Sequence, residues 1–186
     1  TDALRVREHV ILADGGTADV GRLAMESADS VVWTLILPDD DAEGGLPLVV
    51  LLHGRGAPAN PADPLDSRGL YSLAALTREG VREAYPALLL VPRMPLRLSW
   101  WEDYELAAPA LIELVRGVIR RYPVNRARVY LVAEGEGAEA GRRLLATHDN
   151  WFAAGVLIAG VRGSEQAASL TDLPLWVFHG ARDELV

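Results

Sequence analysis

The sequence predicts an α/β protein whose mostly parallel sheet carries helices on both faces. Three observations lead there. Short continuous apolar runs recur along the chain, as in strands buried on both sides. Segments of helical periodicity separate these runs, which implies crossover connections between parallel strands. The first third, by contrast, carries strand signals with no helix between them, so the sheet is expected to begin antiparallel. A chain of 186 residues fits one domain with a sizeable core, taken as residues 1–186.

In chain order, Arg7 to Leu12 and Val31 to Leu37 are rich in β-branched or large apolar residues and flank a stretch containing Gly and Ala. They are expected to form an antiparallel strand pair. The acidic turn Asp39-Asp40-Asp41-Ala42-Glu43-Gly44-Gly45 leads into Leu46 to Leu52, an uninterrupted apolar run, and residues 54–66 form a Gly- and Pro-rich loop. Tyr71 to Ala84 places Leu73, Leu76 and Val81 at roughly helical spacing, and Ala87 to Val91 is a short buried strand closed by Pro92. Ala107 to Arg121 repeats apolar residues at Leu111, Leu114, Val115 and Ile119, an amphipathic helix that must end before Pro123. Arg128 to Val132 then reads as a strand, Ala138 to Thr147 as a helix, and Ala153 to Ala159 and Pro174 to Phe178 as the last strands. No repeat, low-complexity tract or linker interrupts the pattern.

Composition removes several classes of function. Half of the residues are hydrophobic and 24% are charged, which excludes a disordered or fibrous chain. The 18 basic residues are all Arg, against 26 acidic residues, for a net charge of −8. That balance argues against a nucleic-acid partner or an anionic membrane surface. Without Cys there is no disulfide framework, thiol nucleophile or thiolate metal site; the compartment stays open, the cytoplasm slightly favoured. The longest nearly uncharged apolar stretch, Trp151 to Val161, falls far short of a bilayer span, so a soluble protein is expected. Neither a metal site nor a cofactor is expected.

Ligands of open α/β sheets bind at the carboxyl ends of the strands, so the residues just after each strand carry the functional information. They are His53-Gly54-Arg55-Gly56, then Pro92-Arg93-Met94-Pro95 with Trp100-Trp101, then Ala133-Glu134-Gly135-Glu136-Gly137-Ala138, and finally His179-Gly180-Ala181-Arg182-Asp183. Leu51-Leu52-His53-Gly54, Asn125-Arg126-Ala127-Arg128-Val129-Tyr130-Leu131, Asn150-Trp151-Phe152-Ala153-Ala154 and Pro174-Leu175-Trp176-Val177-Phe178-His179-Gly180-Ala181-Arg182-Asp183, in this order and at these intervals, resemble the α/β-hydrolase superfamily. Within it the resemblance is to the carboxylesterase/phospholipase group, which includes polyhydroxybutyrate-depolymerase-like and feruloyl-esterase-like proteins, and it runs from about Leu46 to the end.

The resemblance implies an oxyanion hole made by backbone N–H groups of Arg55, or a neighbour, and of Glu136. It implies that Asp183 stands at the triad-acid position, where a carboxylate fixes the tautomer of a catalytic imidazole. The family's nucleophile lies in Gly-x-Ser-x-Gly on a strained strand-to-helix turn. Here that motif falls on Ala133-Glu134-Gly135-Glu136-Gly137, so the serine position is Gly135. No Ser, Thr or Cys occurs from Arg126 to Ala146, and loss of such a nucleophile removes on the order of 10⁶ in kcat. The chain order Ser, acid, His also puts the triad base beyond Asp183, where no His remains. The family's last helix and histidine loop are therefore expected to be missing from this sequence, and a bare last strand would favour a homodimer.

Little or no ester hydrolysis is expected, with binding of a small ester-like ligand or a partner as the remaining role. The alternative is a carboxylic-ester hydrolase active only with residues outside this chain. Trp100 and Trp101 are candidates to line an acyl or aromatic pocket or, equally, to cover the core edge. His9, His53, His148 and His179 are read as structural, and Arg93 and Arg97 as solvated or paired with Glu102 and Asp103. Glu134, Glu136 and Glu139 are read as stabilised by a helix N-terminus rather than as nucleophiles. Gly135-x-Gly137-x-x-Ala140 also satisfies a dinucleotide-binding spacing. Three carboxylates around the loop, and no basic residue between Arg128 and Arg142, weigh against a pyrophosphate there.

Overall fold

The computed structural model describes residues 4, 6–12, 16–26, 29–38, 44–55, 69–160 and 167–184. Most of the acidic turn at 39–45 and of the loop at 54–66 therefore lies outside the described residues. Strands β1 (Val6–Ile11), β2 (Thr17–Ala24), β3 (Ser30–Leu37) and β4 (Leu46–Leu52) come first, followed by helices α1 (Tyr71–Leu76) and α2 (Glu79–Ala84). Then come β5 (Leu88–Arg93), α3 (Tyr104–Arg121), β6 (Val124–Glu134), α4 (Glu136–Thr147), β7 (Ala154–Ile158) and β8 (Leu175–Phe178). The strands lie in the order β1-β2-β3-β5-β4-β6-β7-β8. From β5 to β8 every pairing is parallel, and from β1 to β5 every pairing is antiparallel.

Alternation divides the side chains of the central strands between two cores. Leu48, Val50 and Leu52 of β4 with Leu88 and Leu90 of β5 face α3 and α4, packing on Leu111, Leu114, Leu144 and Leu145. Leu51, Leu89 and Val91 face the other way, onto Leu70 and Leu73 at the start of α1. This two-sided burial is why these strands are continuous apolar runs in the sequence.

Three local readings change. The segments read as a direct pair, 7–12 and 31–37, do not touch along their length, because β2 lies between them and pairs antiparallel with both. Thr-Ala-Asp-Val-Gly-Arg-Leu-Ala has little intrinsic strand preference, and its two neighbours impose the conformation. The single helix expected over 71–84 is two. Thr77 closes α1 through its N–H to the Leu73 carbonyl, and Arg78 is extended at φ −62° and ψ 139° before α2 begins. Finally, α3 starts at Tyr104 and carries Pro109 on its exposed side, where the lost i→i−4 hydrogen bond is tolerated.

Parallel pairing from β5 to β8 brings the residues after these strands to one edge of the sheet. β8 ends the sheet and exposes Trp176, Val177 and Phe178, with the Trp176 and Phe178 rings edge to face at 5.9 Å.

Candidate active site

At that edge a single residue, Gly135, joins β6 to α4, with φ 54° and ψ −125°. This combination lies outside the regions open to L-residues and costs a side chain of order 1–3 kcal/mol, which glycine avoids. Its N–H donates to the Ile158 carbonyl at 2.8 Å, and its own carbonyl accepts the Ala138 N–H at 2.9 Å. The turn is wedged between neighbouring loops. A Cβ on Gly137 would lie 2.5 Å from the His53 carbonyl oxygen, and one on Gly160 would overlap the Gly135 carbonyl oxygen. A Cβ on Gly135 itself would sit 3.2 Å from Gly54 Cα and 4.0 Å from the Arg55 nitrogen.

The three glutamates of the loop have separate partners. Glu134, buried, accepts the N–H groups of Tyr71 at 2.9 Å and Ser72 at 2.6 Å and so caps α1 rather than α4. Glu136 accepts from Arg55 Nε and Nη2, each at 2.5 Å, and from the Ser99 hydroxyl at 3.1 Å. Glu139 is gripped by Arg142 at 2.7 and 3.0 Å and by Arg143 at 3.1 Å. Burial pushes the Glu139 carboxyl up, but the two guanidiniums outweigh it and hold the group below the usual carboxylate range. As the first residues of α4, Glu136 and Glu139 also sit at the positive end of its dipole, as the sequence reading has it.

His53, after β4, is buried, and its ring nitrogens are both engaged. The Met94 N–H donates to Nε2 at 3.1 Å, which leaves Nδ1 to carry the proton and donate to the Gly54 carbonyl at 2.7 Å. Burial is the main reason its pKa falls from 6.5 to about 4. The ring is thus a neutral brace between the loops after β4 and β5. It packs at 5.5 Å on Trp100, a fully buried side chain whose indole N–H has no hydrogen-bond partner among the described residues.

Trp100, Arg55, Met94, Leu96, Ser99 and Glu136 line a cavity of about 310 Å³ beside the Gly135 turn. Trp101 is not among its lining residues, so the two neighbouring tryptophans separate. Ser99, to which the sequence reading assigned nothing, is tied in place. Its hydroxyl oxygen accepts the Trp101 and Glu102 N–H groups at 3.0 and 3.3 Å while donating to Glu136. Arg97 pairs with Asp29 at 2.6 Å and not with Glu102 or Asp103, and Arg93 is a buried strand residue. The expected pairings fail because Asp103 instead accepts the Ser99 N–H at 2.8 Å.

Asp183 lies past the end of β8, half-buried, in a turn closed by its N–H to the Gly180 carbonyl at 3.1 Å. Of the other histidines, His9 holds Asp19 at 2.7 Å, and Tyr122 binds the second oxygen of that carboxylate. His148 stacks on Trp151 at 4.4 Å, and His179 is exposed beside the Gly180 carbonyl. No group of three or more metal-ligating side chains gathers among the described residues, and no described helix is long and apolar enough to cross a membrane.

No family model and no curated protein sequence matches the chain. Solved structures do. A thermostable esterase superposes with a TM-score of 0.78 at 23% identity, over 96% of this chain and 50% of that one. The fold is that of the α/β-hydrolases. A substrate-bound fluorophosphonate-binding serine hydrolase F from Staphylococcus aureus follows at TM-score 0.56 and 15% identity, over 86% of this chain and 64% of its own. A ferulic acid esterase matches at TM-score 0.56 and 18% identity, over 84% of this chain and 66% of its own. The chain therefore spans about half to two thirds of the length of these esterase-like neighbours. Gly135 occupies the strand-to-helix turn after β6.

Proposed function

We propose that this chain is an esterase-like α/β-hydrolase-fold protein that binds a small ester-like ligand with little or no ester hydrolysis. The observation that carries the reading is Gly135, which keeps the strained elbow conformation and offers no atom to attack a carbonyl. The carboxylates beside it cannot replace a serine, since Glu134 is held by two amides and Glu136 by Arg55 and Ser99. What surrounds the elbow suits a ligand. The backbone nitrogen of Arg55 lies 4.0 Å from where a side chain at position 135 would begin. The Glu136 N–H opens α4 without an intrahelical acceptor. In this reading the two amides receive the carbonyl oxygen of a bound ester, Trp100, Met94 and Leu96 receive its apolar part, and Asp183 stands at the triad-acid position.

The test has two arms. Purified protein is expected to hydrolyse p-nitrophenyl acetate and butyrate no faster than a buffer blank and to stay unlabelled by a fluorophosphonate. Calorimetric titration with ethyl 4-hydroxybenzoate is expected to show saturable binding that Leu96→Asp, at an exposed position of the cavity wall, removes without lowering the melting temperature. Turnover with fluorophosphonate labelling overturns the inactive reading; absence of saturable binding overturns the ligand.

A further inference from the structure

A second cavity, of about 400 Å³, opens on the other side of the molecule between the second half of α3, the start of β6 and the turn before β7. Arg116, Arg120 and Arg126 line it together with Trp151, over the apolar side chains of Ile119 and Val129. Arg126 stands eight residues before Glu134 on β6 (134 − 126), about 26 Å along the strand from the elbow. This cavity is separate from the candidate active site.

Its charge is what sets it apart. In a chain with 26 carboxylates and 18 arginines, a carboxylate is usually at hand, and Arg55, Arg97, Arg142 and Arg143 each have one. Within the cavity only Arg120 does, through Glu113 at 2.7 Å. Among the described residues no carboxylate lies within ion-pair distance of Arg116 or Arg126. Arg116 instead sits over the Trp151 ring at 5.0 Å, and that ring is fixed in turn by its stack on His148. A cation–π contact orients a guanidinium but leaves its charge and its donor fork free for an anion. Two unneutralised guanidiniums in a concave, partly apolar wall concentrate positive potential where the rest of the protein is acidic. The two C-terminal arginines of α3, Arg120 and Arg121, are accounted for by the helix dipole; Arg116 and Arg126 are not.

From this we infer that the cleft between α3 and β6 binds a small oxyanion carrying two negative charges, through Arg116 and Arg126. Planar guanidiniums favour bidentate contacts with phosphoryl and carboxylate oxygens alike. A phosphoryl compound and a dicarboxylate therefore share the chemistry, and experiment separates them.

Calorimetric titrations of the full chain with inorganic phosphate and with succinate, both dianions at pH 7.5, at constant ionic strength set by sodium chloride, make the test. At least one of the two is expected to bind saturably at one site, which also names the class. Arg116→Gln and Arg126→Gln are each expected to weaken it about tenfold, the effect of one charge-assisted contact. Arg22→Gln, at an exposed arginine of β2, is expected to leave affinity unchanged. Both cleft arginines carry polar heads on the surface, and equal melting temperatures for all variants show that any loss is local. The proposal is overturned if neither probe binds beyond the salt control, or if binding survives the double variant Arg116→Gln/Arg126→Gln.

Discussion

The turn after β6 and the turn after β8 lie at the same edge of one sheet, after parallel strands. They are packed very differently. The first is hemmed in by backbone. Gly135 keeps a conformation that a serine would adopt only under strain, and the backbone packs against it so closely that Gly137 and Gly160 have no room for a methyl group. At the second the packing is thin. Asp183 is half-buried there, and β8 is the edge strand of the described sheet, with Trp176, Val177 and Phe178 exposed. The difference teaches that the shape of the first turn is held by its surroundings and not by a side chain of its own, because it joins β6, α4 and two loops.

Glycine substitutions should expose that contrast most strongly. Gly160→Ala places a Cβ on the Gly135 carbonyl oxygen, a backbone atom that cannot swing away. It is expected to cost about 3 kcal/mol or more in urea unfolding. Gly180→Ala, in the turn after β8, meets nothing closer than Asp183 Cβ at 3.7 Å, an ordinary contact. It is expected to change stability by less than about 0.5 kcal/mol. Equal costs at the two positions would remove the claim that the elbow is packed and the β8 turn is not.

The loop after β4, which packs against the turn after β6, should respond to acid through its buried His53. Above pH 6.5 the His53 ring is neutral in both the folded and the unfolded chain. As the pH falls below that value, the unfolded chain takes up a proton that the buried ring refuses until about pH 4. Stability is therefore lost between pH 6.5 and about 4, by about 3 kcal/mol in full. Urea midpoints of the wild type and of His53→Gln at pH 7.5 and pH 4.5 decide it: the advantage of the wild type should shrink at the lower pH. An advantage independent of pH would mean that burial of this ring is not what the fold spends stability on.

Much of this was legible in the sequence, for physical reasons. Strands β4 and β5 are buried on both faces, so their apolar runs announce them. The turn between β6 and α4 could be read because Gly135, at positive φ, and Gly137, packed against backbone, mark it. β2 was not legible, since its strand character comes from β1 and β3 and not from its own residues. Nor was the break at Thr77 and Arg78, where neither Gly nor Pro marks the turn. Side-chain partners fared worst. Glu134 reaches Tyr71 and Ser72 across 63 and 62 residues of chain, and Trp100 and Trp101 are told apart only by which one His53 packs against. Local sequence carries period and turn chemistry; it does not carry who meets whom across the sheet.

The smallest effects separate the two glutamates that flank Gly135, which the sequence makes look alike. Glu134 is 6% exposed and satisfies two amides at the start of α1, donors that have no acceptor within the helix. Glu134→Ala is expected to cost about 2–3 kcal/mol, the loss of charge-assisted hydrogen bonds with the donors left behind. Glu136 answers an arginine whose side chain is 81% exposed, and water can replace most of what that partner gives. Arg55→Ala is therefore expected to change stability by no more than about 0.5 kcal/mol, and less still in high salt. Urea unfolding at two salt concentrations checks both, and a salt-insensitive cost at Arg55 matching that at Glu134 would show that the Arg55–Glu136 pair supports the elbow rather than lying across its solvent side.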